Sequence, residues 1–346
     1  MPDLLYGVLH SLLSCFIPAA NLLVIVVVYK LMKKKQGTNY IFILNLAFAD
    51  LLVGVMCIAE ALDDMLDGNF DRNLSICLLR ICMSLTPCIG SILTLLLISL
   101  DRYLAVKLPL HYPALLNKKP IVLSLTILWA ISFLFGHMPL IFPSLQKSNY
   151  TGYCGLLYAA KSEYLYVICF GIFIPVLLIL ICLHVSVGRI AYSQHKRILR
   201  SCLQAEPLRA HLRHFKALRT ALIVIICFTL SWGPYYMVGI VQAICESCNL
   251  AEPLKDILFL LGELNSLINP IIYALYSKDI RSHLAKLMKC KKKGQVNPLA
   301  VIHFNIQASG GLNNQEGKGS GSLGDQASDV TFPSCSGNCK IVFSVS

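Results

Sequence analysis

Apolar residues along this chain gather into seven long runs, at about 4–29, 40–62, 77–101, 120–143, 163–188, 217–244 and 254–276, separated by short polar stretches. A hydrocarbon layer of about 30 Å takes roughly 20 apolar residues per helix, so each run is long enough to cross a bilayer. The polar stretches leave no room for a second folded domain among the spans, and no eighth span follows. The pattern predicts an all-α, seven-transmembrane helix bundle over residues 1–293 and a separate tail over 294–346.

Composition agrees: 56% of residues are hydrophobic and 14% charged, and the mean hydropathy is +0.66. A soluble domain is excluded on that balance. The net charge of +12 would suit a nucleic-acid partner, but its distribution points elsewhere. Lys30, Lys33, Lys34, Lys35, Lys107, Lys118, Lys119, Lys196, Arg197, Arg200, Lys291, Lys292 and Lys293 cluster on alternate connections. The positive-inside bias makes those connections cytoplasmic and the N-terminus external. Asp63, Asp64, Asp67 and Asp71 and the two glycosylation sequons, at Asn73 and Asn149, fall on the opposite side. With no basic flank or cleavage pattern near Met1, the first run reads as an uncleaved signal-anchor.

Most of the 15 cysteines sit inside spans, where a thiol is a small packing group. Cys77 and Cys154 flank spans on the oxidising side and are expected to pair. Cys245 and Cys248 form a Cys-x-x-Cys that is either a local disulfide or two free thiols.

A charged group in mid-membrane is expensive and marks function. Asp50 lies about ten residues into the second run, about 15 Å deep at 1.5 Å per residue. Ser91, Asn265, Ser266 and Asn269 are its candidate partners. Such a set suits a hard cation or a proton; otherwise it is an interhelical hydrogen-bond knot. Pro175, Pro234 and Pro270 are potential kinks. Trp232, Tyr235 and Tyr236 share a stripe beside Pro234.

Asn21, Asn45 to Asp50, Asp101-Arg102-Tyr103, Trp129, Pro175, Ser231 to Pro234 and Asn269-Pro270 to Tyr273 occur in order along the spans. Together they resemble the rhodopsin-like G-protein-coupled receptors over about residues 1–290. Within that family, the runs 215–220, 239–242 and 260–270 resemble receptors that sense fatty-acid amides and related lipids and raise cyclic AMP through the stimulatory G protein. The resemblance implies a multi-pass plasma-membrane receptor, not an enzyme, with a heterotrimeric G protein and arrestin as partners and no cofactor beyond an allosteric sodium ion. A seven-helix transporter is the alternative from another class, but it would pair acids with bases at the midplane.

Departures from the family pattern narrow the ligand. Ser84 stands where amine receptors carry an Asp, and Glu263 where opsins carry the retinal-binding Lys. Ser84, Cys88, Trp232, Tyr235, Tyr236 and Phe259 are expected to line an apolar pocket for a lipid amide or lysophospholipid-like ligand. Glu60 and Glu263 either pair with each other or with water, or hold a polar or cationic head group. On the opposite face, Arg102 with Tyr103, Pro109 and Leu110 resembles the surface that receives the G protein, with Pro270 and Tyr273 as the switch. His214 replaces the usual acid that also tethers the arginine, so Asp101 alone must hold Arg102, and ligand-independent signalling is expected. Leu183 replaces the family's fifth-helix tyrosine.

After Tyr273, residues 277–290 form a basic amphipathic segment with Ile280, Leu284 and Leu287 at helical spacing. It is expected to lie on the inner leaflet among membrane lipids as an eighth helix, with Cys290 lipidated. The Gly/Ser/Asn-rich tail is expected to be disordered, with Ser320, Ser322, Ser328, Thr331, Ser334 and Ser336 as phosphorylation sites for arrestin.

Overall fold

The computed structural model describes residues 2–34, 38–65, 72–108, 110–112, 118–201, 205–245 and 251–292. Inside hydrocarbon no water satisfies a backbone N–H or C=O, so a spanning segment must close its own hydrogen bonds as a helix. Seven helices do so: α1 (Pro2–Lys34), α2 (Thr38–Met65), α3 (Leu74–Lys107), α4 (Lys118–Gly136), α5, α6 (Ala205–Ile244) and α7 (Glu252–Tyr276). α5 is composite, made of Ser162–Tyr166, a π-helical stretch Val167–Phe173, and Ile174–Ser201. An eighth helix, α8 (Lys278–Lys292), follows.

The bundle is built around α3. Two thirds of its span-forming window is buried (67%), against 22% for α4, which makes α3 the axle and α4 a peripheral strut. Large apolar residues on the outer faces, among them Leu22, Phe133, Leu178 and Leu230, are exposed as lipid contacts require.

Three expectations change in detail. The fourth span ends at Gly136, short of the boundary near 143, because Pro139 and Pro143 divide the following residues into the turns Met138–Ile141 and Pro143–Leu145. Asp63 is no loop residue: it is 4% exposed within α2 and faces Arg80, Nη1 to Oδ2 3.9 Å. In α5 the chain adjusts ahead of Pro175 by one π-helical stretch, closed by Ile174 N–H donating to the Cys169 carbonyl. The proline lacks the N–H that a regular turn would supply, and a π-bulge absorbs the mismatch.

At one end, Cys77 near the start of α3 is bonded to Cys154, with Cα atoms 5.5 Å apart. The loop carrying Cys154 is pinned back on itself, Lys147 N–H donating to Ala159 O (2.9 Å) and Lys161 N–H to Leu145 O (2.9 Å). Asn73 caps α3, its side chain accepting from Ser75 N (2.9 Å) and Ile76 N (3.4 Å). Asn73 and Asn149 are both exposed. Cys245 is disulfide-bonded; Cys248, its expected partner, lies outside the described residues.

At the other end, α8 docks on the bundle. Ile280 is fully buried and Leu284 packs on the core, while Tyr40 Oη donates to Asp279 Oδ2 at 2.6 Å. The side chains of Leu287 and Cys290, and all of 293–346, lie outside the described residues.

α1 and α2 approach so closely that Gly54 has no room for a side chain. A Cβ there would stand 2.8 Å from Pro18 Cδ and 2.9 Å from Ile17 Cγ2. Gly54→Val should therefore push α1 away and destabilise the bundle by about 1–3 kcal/mol, read as a lowered unfolding temperature of the purified protein. An unchanged transition would contradict the packing.

Candidate functional site

Toward the disulfide end, α2, α3, α6, α7 and the Cys154 loop enclose a cavity of ≈ 730 Å³, counting its open mouth. Ser84, Cys88, Trp232, Tyr235, Tyr236, Phe259 and Glu60 all line it. The aromatic wall is continuous. Trp232 sits 6.1 Å from Tyr235, 6.0 Å from Tyr236 and 6.2 Å from Phe259, and Phe173 stacks on Tyr236 at 4.2 Å. Such apolar walls with a few convergent polar groups are the usual form of a small-molecule site.

The polar wall differs from expectation. Arg80, Lys255, Asp256 and Tyr158 also line the cavity. Arg80 was legible, since it precedes Ser84 by one helical turn. Tyr158 was not, because its position depends on how the Cys154 loop folds over the mouth. Lys255 Nζ lies 4.7 Å above the Tyr158 ring. Burial, reinforced by Asp256 and Glu252, pushes the Tyr158 hydroxyl up from its ordinary value, whereas burial and then the neighbouring Lys255 pull the Lys147 ammonium down. Tyr158 is therefore a neutral donor at the mouth.

Glu60 and Glu263 do not act as a pair. Glu60 meets His10 Nε2 (3.3 Å) and Arg80 Nε (3.8 Å), and accepts from Ser84 Oγ at 3.5 Å. Glu263, expected as a ligand contact, does not line the cavity. It is 2% exposed behind that wall, meeting His10 Nε2 at 3.7 Å and accepting from Cys57 Sγ at 3.2 Å. His10 and Cys57 lie on apolar helices where nothing along the sequence pointed to them.

Deeper in the bundle Asp50 is fully buried. Its Oδ1 accepts from Ser91 Oγ (3.2 Å) and Ser266 Oγ (3.0 Å), and its Oδ2 from Asn269 Nδ2 (2.8 Å). Asn21 Nδ2 donates to the Ser266 carbonyl at 2.9 Å, and the Trp129 indole N–H to Asn45 Oδ1 at 2.9 Å. Asn265 Oδ1 and Asn269 Oδ1 are buried with no hydrogen-bond donor. The Asp50 carboxylate, with Asn269, Ser91 and Ser266 converging on it, is an oxygen-rich set that fits a small hard cation.

At the far end of α3, Asp101 is buried (3%) and pairs with Arg102. Tyr112 Oη donates to the other carboxylate oxygen of Asp101 at 2.9 Å, a contact that sequence reading missed because it spans the turn after α3. The Tyr103 hydroxyl accepts from Lys107 Nζ. Leu110 is 90% exposed, an apolar side chain standing free on that surface. The Tyr273 hydroxyl is buried without a hydrogen-bond partner. Leu183 is half-buried. Pro109 lies outside the described residues; His214 lies in α6 but its side chain does not belong to the described set.

The family described as 7 transmembrane receptor (rhodopsin family) matches residues 20–273. The chain is 34% identical to the human glucose-dependent insulinotropic receptor, over 83% of this chain and 88% of that one. It is 33% identical to the rat protein of the same name, over 82% and 61%. It is 28% identical to the human histamine H2 receptor, over 80% and 77%.

Trp232 joins the cavity to the deeper network, and Gly262 of α7 is what lets it sit there. A Cβ at 262 would fall 2.6 Å from Trp232 Cε3 and Cζ3. Gly262→Ala must therefore displace the indole, at about 1–3 kcal/mol. The chain has two tryptophans, so a Trp129→Phe background isolates Trp232 fluorescence. In that background Gly262→Ala should shift the emission maximum and lower the unfolding temperature; an unaltered spectrum would refute the contact.

Proposed function

The chain belongs to the rhodopsin-like family of G-protein-coupled receptors, and from that premise we propose that it responds to a lipid amide or lysophospholipid-like ligand. It then acts through the stimulatory G protein and raises cyclic AMP. Being a multi-pass plasma-membrane receptor, it works with a heterotrimeric G protein. The observation that carries the ligand class is the cavity itself, with an aromatic wall facing one polar edge that holds both Arg80 and Lys255. An acyl chain suits the first, and an amide or phosphate-bearing head group the second. The likeness of the runs 215–220, 239–242 and 260–270 to lipid-amide receptors points the same way.

An amine ligand, which the name of the histamine receptor among its relatives raises, is poorly served. Ser84 offers no charge, Glu60 is already engaged by His10, Arg80 and Ser84, and Glu263 is walled off.

A ligand changes the resting balance only by binding one state more tightly. The acyl chain presses on Trp232 and Tyr236 beside Pro234, where the missing N–H makes α6 bendable. Bending there opens the Arg102 end of the bundle. Arg102 leaves Asp101, and Tyr273, whose hydroxyl is unbonded at rest, swings toward it. The G protein then docks against Arg102, Tyr103 and exposed Leu110. With no acid at His214, the Asp101 and Tyr112 contacts alone hold Arg102 at rest, so ligand-independent signalling is part of this reading.

The basic connections and the sequons support an external N-terminus and disulfide end and a cytoplasmic Arg102 end. The carboxyl-terminal serines support arrestin recruitment. Asp50, Ser91, Asn265 and Asn269 would hold sodium, which supplies a positive charge against the Asp50 carboxylate and favours the resting packing of α2, α3 and α7.

In transfected cells an oleoyl-type amide should raise cyclic AMP. Tyr236→Ala should shift the half-maximal concentration upward by about tenfold, the equivalent of 1.4 kcal/mol of lost contact. A cell that answers forskolin but not the amide would overturn the ligand assignment. Asp50→Asn should abolish the effect of sodium on agonist affinity in membranes; retained sodium sensitivity would remove the ion from this account.

A further inference from the structure

The polar cluster behind the Glu60 wall does not take part in the ligand reading. Its donors come from three helices: His10 from α1, Cys57 and Glu60 from α2, Glu263 from α7. The imidazole, the thiol and one Glu263 oxygen all lie within 4.8 Å of one another. All are buried, His10 at 1%, Cys57 at 0% and Glu263 at 2% exposed.

We propose that His10, Cys57 and Glu263, with Glu60 beside them, form a binding site for a transition-metal dication of the zinc class, which ties α1, α2 and α7 together behind the ligand cavity.

Three physical features support this assignment. The first is donor chemistry. Imidazole nitrogen, sulfur and carboxylate oxygen are the zinc donor set, whereas the all-oxygen set around Asp50 suits a hard cation. The second is spacing. Ligands about 2.0–2.3 Å from a tetrahedral ion stand about 3.3–3.8 Å from each other. The observed separations are 3.3 Å (His10 Nε2 to Glu60 Oε2), 3.7 Å (His10 Nε2 to Glu263 Oε2) and 3.2 Å (Cys57 Sγ to Glu263 Oε1). These contacts use both Glu263 oxygens, one toward His10 and one toward Cys57, and one donor atom from each of the three residues lies within 4.8 Å of the others, so a small inward shift brings them to ligand separation.

The third is unmet demand. Glu263 Oε2 is buried and accepts no hydrogen bond. Arg80 and Ser84 orient Glu60 from outside, the arrangement that holds metal-binding carboxylates in place. Glu60 and Tyr6, whose ring is 5.5 Å from His10, line the cavity, which provides the route in. Binding releases the Cys57 proton to that cavity as the thiolate forms.

The test reads the metal directly and does not rest on the lipid assignment. Full-length receptor in nanodiscs, stripped with chelator, is titrated with cobalt(II) and then zinc(II). A thiolate-to-cobalt charge-transfer band should grow to one ion per receptor and be bleached by zinc, and zinc should raise the unfolding temperature. Cys57→Ser should lose the band and the thermal shift, while Cys15→Ser, at an exposed thiol on α1, should keep both. His10→Ala and Glu263→Gln should each weaken cobalt binding by about 100-fold or more. If Cys57→Ser does not accumulate, His10→Ala decides alone: unweakened stoichiometric binding overturns the site and loss supports it. Absence of the band in the wild-type protein, its survival in Cys57→Ser, or its loss in Cys15→Ser would each overturn the proposal.

Discussion

Hydrocarbon offers a polar group no hydrogen-bond partner, and the whole architecture follows from that constraint. The backbone answers it by closing into helices, so the main-chain groups of each span are satisfied inside the span itself. The side chains cannot answer it alone. Hydroxyls such as Ser99 and Ser132 can bond back to their own helix, but a buried carboxylate needs donors from neighbouring helices, and those partnerships help set helix order and rotation. Asp50 draws Ser91 from α3 and Ser266 and Asn269 from α7 onto one point. Trp129, Asn45 and Thr94 tie α4 to α2 and α3 in the same way.

The same constraint makes the bundle a switch. A well-packed apolar core has one good arrangement, but a polar network with unused acceptors has more than one. Asn265 Oδ1, Asn269 Oδ1 and the Tyr273 hydroxyl are buried and unbonded, and each becomes satisfied only when something moves or binds. Pro234 and Pro270 sit within α6 and α7 beside these groups, so the helices can bend where the network has bonds to gain. Trp232 lies between this region and the cavity, held against the bare backbone of Gly262. In the proposed mechanism, ligand contact, helix bending and Arg102 release would share one column of the structure.

Where α1, α2 and α7 meet, polar groups have gathered more densely than the receptor role requires. His10, Cys57, Glu60 and Glu263 are buried, and each isolated group would be costly to bury. They are tolerable only because they meet. That clustering sets this region apart from the aromatic wall opposite, where Tyr235, Tyr236 and Phe259 contribute area and little polarity.

Residues that share one face of one helix were legible from spacing alone. Ser84, Cys88 and Ser91 on α3, Trp232, Tyr235 and Tyr236 on α6, and Asn265, Ser266 and Asn269 on α7 all point where a 3.6-residue period places them. The seven spans, the Cys77–Cys154 bond and the Asp101-Arg102 pair were equally readable, since each follows from hydrophobic length, from a cysteine pair on the oxidising side or from a contiguous motif. What spacing cannot state is which faces of different helices meet, because that depends on rotation and tilt settled by packing of the entire bundle. Hence His10 and Cys57 were invisible beside Glu263, Glu60 and Glu263 proved to share a histidine and not each other, and Asp63 turned inward to Arg80. Tyr158 and Tyr112, placed by folded connections, could be located only by the tertiary structure. The sequence by itself determined the elements and their polar stripes, for those are local consequences of the bilayer. Only the assembled bundle decided the pairings between helices, for hydroxyls such as Ser99 and Ser132 can turn back on their own helix, whereas the Asp50 carboxylate is satisfied only from its neighbours.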